Sequence, residues 1–213
     1  MDAAKRVPEA DPRNPIIQRI EREFLARMHA AGLLTRKMGI EELFRDCEVL
    51  RAITGEFLCE NLILRSLPDM VVCSPTRRIY LVEIKVVMPN RDNVAVELWQ
   101  LLYFRRIGGG VWYFWGWLDE TKGILQGRLA QAKDIRPQQV IIPSRVASWP
   151  EETKALLDTW LRDEKWEAKV KKVDQTRGSN DPYVLFPQLD LANMVSLDEW
   201  IRWCGSDGVH KRY

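Results

Sequence analysis

The sequence predicts an α/β fold in which a central mixed β-sheet is flanked by helices, with a C-terminal α/β elaboration packed on that core. Three observations carry the expectation. Apolar residues recur at helical spacing between Pro15 and Ala31. Two short apolar runs, Pro68 to Cys73 and Ile79 to Val87, bracket the turn-forming stretch Ser74 to Arg78. A helical stretch then leads into Val111 to Leu118 (VWYFWGWL), apolar on both faces as a strand buried within a sheet must be. The order helix, strand, strand, helix, strand is that of a layered α/β core.

Residues 1–14 are polar and proline-broken without periodicity, and predict a flexible arm. In the first helix Ile16, Ile17, Ile20, Phe24 and Met28 share a side, Pro15 suits its start and Gly32 its stop. A second helix is predicted after Gly39, with Ile40, Leu43, Phe44, Cys47 and Leu50 on one side. The two apolar runs form a hairpin. After it a helix is expected from about Asn93 to Ile107, closed by Gly108 to Gly110, where glycine permits the left-handed cap. The core of the fold is thus placed at residues 15–135. Residues 136–213 form the elaboration: a strand at Gln139 to Pro143, a helix from Pro150 to about Lys172, a strand around Val184, and a capped helix from Ser196 to Cys204. The tryptophans at 112, 115 and 117 suit a sheet core, and Trp160 and Trp166 a helix seam.

Composition bounds the function. Of 213 residues 46% are hydrophobic and 29% charged, an ordinary globular balance. A formal net charge of +2 offers no broad basic surface, so any nucleic-acid contact must be a local patch. Arg77-Arg78, Arg105-Arg106, and Lys169 with Lys171 and Lys172 are the candidates. Cysteines at 47, 59, 73 and 204 form no CxxC pair, and His29 and His210 are the only histidines, which argues against structural zinc and a disulfide framework. The polar N-terminus does not read as a signal peptide, and the apolar run at 111–118 is too short to span a bilayer. The expectation is an intracellular, cytoplasmic protein without a membrane partner.

The chemistry concentrates in the hairpin. Side chains alternate along a strand, so Glu83 and Lys85 project from one face while Val82, Ile84 and Val86 point to the other. A carboxylate and an ammonium within so apolar a strand are costly unless paired or bound. The hairpin can bring Asp69 beside them. Two carboxylates are hard oxygen donors suited to Mg²⁺ or Mn²⁺, which polarise a phosphoryl oxygen and lower the pKa of bound water. A neighbouring lysine offsets charge developing on the phosphate. The competing account makes Asp69 a turn residue and Glu83–Lys85 an edge-strand charge pair.

Pro68-Asp69 followed by Glu83-Ile84-Lys85, with apolar flanks on both strands, closely resembles the PD-(D/E)XK nuclease signature. The stretch from Glu97 through Val111 to Phe114 is also similar to the core shared by archaeal Holliday-junction resolvases, restriction endonucleases and phage nucleases. The resemblance covers about residues 40–118. It implies a restriction-endonuclease-like fold, Asp69 and Glu83 as metal ligands, Lys85 as the catalytic lysine, and the Ile84 carbonyl as a further ligand. Many members place an acidic residue on the helix before the first strand. Here Glu41, Glu42, Glu48, Glu56 and Glu60 are available, with Glu42 favoured. Gln100 resembles the glutamine on the helix after the motif, though its spacing to Tyr103 is one residue short of the exonuclease-type QxxxY pattern. The function so implied is an Mg²⁺- or Mn²⁺-dependent DNA endonuclease, structure-selective and resolvase-like, of phage or mobile-element type. A sequence-specific restriction endonuclease and a non-catalytic DNA-binding or assembly protein on the same fold are the alternatives. Symmetric cleavage of both strands would call for a homodimer.

Overall fold

A computed structural model describes residues 14–38, 68–87, 91–107, 110–119, 121, 123–174 and 181–206. The helix expected after Gly39, the acids Glu41, Glu42, Glu48, Glu56 and Glu60, and His210 lie outside the described residues.

Helix α1 (Asn14–Ala30) buries Ile20, Phe24 and Met28, each four residues after the last, as one stripe. Gly32, at φ 73°, then turns the chain in the left-handed region, where a side chain would be strained. Strand β1 (Leu34–Lys37) pairs antiparallel with β2 (Met70–Cys73), which pairs antiparallel with β3 (Ile79–Val86). The hairpin expectation is met, with Arg77 supplying a positive φ of 63° in its turn. Strand β5 (Val111–Leu118) lies parallel to β3, and β6 (Leu125–Gln131) antiparallel to β5. With β10 (Val195–Ser196) these make a mixed sheet in the order β1-β2-β3-β5-β6-β10.

Two helical expectations are corrected. The segment Asn93–Glu97 is strand β4, and helix α2 begins only at Leu98, running Leu98–Ile107. Val94 and Val96 are buried while Asn93, Ala95 and Glu97 are exposed, a period of two that pairs with β9 (Tyr183–Pro187) in place of a helical stripe. Helix α3 spans Glu151–Glu164 and does not reach Lys172. Lys165 takes φ 50° and donates its N–H to the Arg162 carbonyl, ending the helix, and Lys169–Val173 becomes β8, parallel to β7 (Gln139–Pro143). The second sheet therefore runs β4-β9-β7-β8.

The fold is a mixed α/β architecture with a central mixed sheet covered on both faces. One face carries Met70, Val72, Val82, Ile84 and Phe114 against α1 and against Leu197 and Trp200 of α4 (Leu197–Gly205). Ser196 caps α4 in a reciprocal capping box with Glu199, as its sequence position suggests. The other face carries Leu81, Val111, Tyr113 and Trp115 against α2 and the second sheet. No helix among the described residues is long and apolar enough to cross a membrane.

Candidate active site

The register of the hairpin builds the centre. Met70 pairs with Val82, so Asp69 stands just past the last ladder pair, at the level of Glu83. There the Asp69 carboxylate takes the place of a ladder carbonyl: its Oδ2 accepts the Ile84 N–H at 2.7 Å. On β3 the side chains alternate as the sequence requires. Val82 and Ile84 enter the α1 side of the core, while Glu83 and Lys85 project toward α2. Lys85 Nζ donates to Glu83 Oε1 at 2.7 Å, with the Glu83 side chain 5% exposed and that of Lys85 23%. Asp69, Glu83 and Lys85 thus converge on one face at the end of the hairpin remote from its turn.

Burial controls the electrostatics. It pushes the Glu83 carboxyl up from 4.5 to about 7, with Asp69 adding to the rise and the Lys85 ammonium and the Gln100 amide opposing it. Asp69 is also raised by burial, which outweighs its bond from Ile84 and the nearby charge of Lys85. Burial alone would lower Lys85, but the charge and hydrogen bond of Glu83 hold it above its ordinary value. Lys85 is therefore an ammonium at neutral pH.

Gln100, from the first turn of α2, is buried and its side chain bonds the Glu83 carboxylate. Asn93 and Glu97, which a helix from Asn93 would have set on the same side as Gln100, belong instead to β4. Two neighbours escape sequence reasoning. Glu97 ends β4 close enough for its charge to raise Lys85. Tyr113 stands beside Glu83 in the parallel β3–β5 register, fully buried, with burial first and then Glu83, Glu97 and Asp69 raising its hydroxyl well above its ordinary value. Parallel register depends on a long crossover, and no local signal in the sequence reveals it.

The arginine pairs lie elsewhere. Arg77 and Arg78 are exposed at the hairpin turn, the end of β3 opposite Asp69. Arg105 and Arg106, candidates for a local nucleic-acid patch, are engaged in fastening α2. Arg105 Nε pairs with Glu164 at 2.5 Å, its Nη1 donates to the carbonyls of Ala132, Lys133 and Ile135, and its guanidinium lies over Trp166. Arg106 stacks 4.3 Å over the ring of Trp160 and pairs with Asp163 and Glu164. Trp112 and Trp115 are buried in the sheet and Trp117 is partly so, in keeping with their reading as core.

The donor set fits a small divalent cation. Glu83 Oε2 is a buried acceptor with no partner among the described residues, beside the Asp69 carboxylate. Mg²⁺ and Mn²⁺ need few protein ligands, since water fills the rest of their octahedron. The Asp69 and Glu83 carboxylates supply two such ligands, although no group of three or more His, Cys, Asp or Glu suited to a metal occurs among the described residues.

No family model matches the sequence, and no curated protein matches it. Among solved structures, the chain is similar to Hjc of Archaeoglobus fulgidus, a Holliday junction resolvase from an archaeal hyperthermophile, at a TM-score of 0.41 and 10% identity over 86% of this chain and 98% of that one.

Proposed function

We propose that the protein is a divalent-metal-dependent DNA endonuclease whose centre is Asp69, Glu83 and Lys85. The observation that carries this reading is the convergence of the buried Glu83 carboxylate, the half-buried Asp69 carboxylate and an ammonium on one sheet face, with Asp69 fixed by the Ile84 amide. An edge-strand charge pair would have no reason to be buried in the middle of a sheet between β2 and β5. When bound, Mg²⁺ or Mn²⁺ supplies Lewis-acid polarisation of a phosphoryl oxygen and a more acidic water.

The protein's own residues do the rest. Asp69, Glu83 and the Ile84 carbonyl would hold the cation, with Asp69 kept in place by its bond from the Ile84 N–H. Lys85 donates to Glu83 yet stays partly exposed, and its charge offsets that developing on a phosphate. Gln100 fixes the Glu83 carboxylate from behind. Within this class a structure-selective, resolvase-like enzyme is the preferred form.

The test is cleavage of linear, flapped, splayed and four-way DNA with Mg²⁺ and Mn²⁺. Preferential cutting of the four-way substrate, abolished by EDTA, is expected. Cutting confined to particular sequences in linear duplex would make it a restriction endonuclease. Binding without cleavage of any substrate would leave a DNA-binding or assembly protein.

A further inference from the structure

Three buried polar atoms around Glu83 have no partner among the described residues: Glu83 Oε2, Gln100 Oε1 and Tyr113 Oη. They belong to one neighbourhood. Tyr113 adjoins Glu83 across the parallel ladder, and the Gln100 side chain bonds Glu83 from α2. The Tyr113 ring is held between Trp115, stacked at 5.5 Å, and Phe104 at 5.6 Å. Phe104 stands one helical turn after Gln100, on the same face of α2. Both Gln100 and Tyr113 are buried, so bulk water does not satisfy them.

The three atoms also match in kind. The carboxylate and the amide oxygen only accept, and the tyrosine hydroxyl can donate. One water offers two hydrogens and accepts one, which completes this set, and buried waters ordinarily make about three such bonds. A carboxylate oxygen has a lone pair to spare, so a water and a cation can share Glu83 Oε2.

We infer that Tyr113 is a positioning residue: with Gln100 it holds a buried water that fixes the orientation of the Glu83 carboxylate. The water accepts from Tyr113 Oη and donates to Gln100 Oε1 and Glu83 Oε2. Its relevance to metal binding rests on the proposed reading of Glu83 as a ligand, whereas the water and the orientation of Glu83 do not. Groups that orient a ligand in this way commonly change metal affinity about 10-fold or more when removed.

The test is a comparison of the metal-free protein with its Tyr113→Phe variant by high-resolution crystallography, thermal denaturation and Mn²⁺ calorimetry. A water within hydrogen-bond distance of all three atoms is expected in the parent. In the variant that water should be lost or displaced, the Glu83 carboxylate should turn, and Tm should fall because a bond has been removed. Mn²⁺ affinity should drop about 10-fold. The inference is overturned if no such water is found, or if Glu83 keeps its orientation in the variant. An unchanged or raised Tm would overturn it too, since it would mean the hydroxyl had no bond to lose. Should the parent itself fail to bind Mn²⁺, the metal reading falls, while the water and the Glu83 orientation still decide the role of Tyr113.

Discussion

At Glu83 a carboxylate is buried deeply enough that its charged form is costly, and this fixes how the protein should respond to pH. Its folded-state value of about 7 stands above the ordinary 4.5. Between those values the folded state keeps a proton that the unfolded state has released, so stability from this group is full below pH 4.5 and lost as pH rises through about 7. The metal-free protein should therefore show a falling Tm across that window, and Glu83→Gln should flatten the fall. Mn²⁺ must displace the same proton, so its affinity should rise with pH through the window, measurable by calorimetry at about pH 6 and about pH 8. Equal affinity at both would separate Glu83 from the cation. Asp69→Asn, Glu83→Gln and Lys85→Ala should each reduce cleavage at least about 10²-fold, with circular dichroism unchanged. A folded Glu83→Gln variant that cuts at the parental rate would place the chemistry elsewhere.

Elements are held together by interactions whose removal has predictable cost. Arg105 ties α2 to α3 and to the turn after β6 through a pair with Glu164 in which the side chains are 12% and 10% exposed. Arg105→Ala leaves the buried Glu164 with only its longer pair to Arg106 at 3.5 Å, and should cost about 2–3 kcal/mol in urea denaturation. Arg106→Ala loses mainly its stacking on Trp160, about 1 kcal/mol. Neither should alter the salt dependence of DNA binding. That dependence is better sought on β8, where Lys169, Lys171 and Lys172 are exposed on the edge strand of the second sheet. Lysines also guard such edges against unwanted pairing. A Lys171→Ala/Lys172→Ala variant should lower the salt slope by about 1 for each phosphate these lysines neutralise, and an unchanged slope would leave them as edge guards. On the opposite face of the main sheet, Gly116 and Gly127 are paired across β5 and β6 beneath the Phe114 ring. A Cβ at Gly127 would lie 2.0 Å from that ring and 2.9 Å from the Trp115 carbonyl oxygen. Gly127→Ala should destabilise by about 1–3 kcal/mol, because the backbone oxygen cannot move aside as a side chain can.

The whole molecule is more interleaved than a core with an addition. β4, within the first part of the chain, has β9 as its only strand partner among the described residues, and β6 pairs with β10. α4 covers Trp112 and Tyr80 of the main sheet with Trp200 and Trp203, and Asp198 at its start pairs with Arg27 of α1. A chain ended after residue 135 would leave β4 unpaired and Trp112 bare. It should show no cooperative thermal transition, whereas a two-state melt of that fragment would prove residues 15–135 an independent unit.

What the sequence determined by itself was local. The stripe of Ile20, Phe24 and Met28, the hairpin around Ser74 to Arg78, the apolar run of β5 and the cap at Ser196 each depend on neighbours in the chain, and each is legible there. The facing of Asp69, Glu83 and Lys85 follows from strand alternation and one short turn, so the centre of the candidate site could be read as well. Tertiary structure decided the rest. Asn93–Glu97 is a strand because β9, far along the chain, offers it an edge. The C-terminal lysines form a strand because β7 lies alongside them. Arg105, an exposed charge by its letter alone, is enclosed by Glu164 and Trp166, and Arg106, still exposed, lies over Trp160. Tyr113 meets Glu83 only through a parallel register that a long crossover sets. Each of these depends on a partner distant in the chain, and pairing at a distance leaves no periodicity in either segment alone.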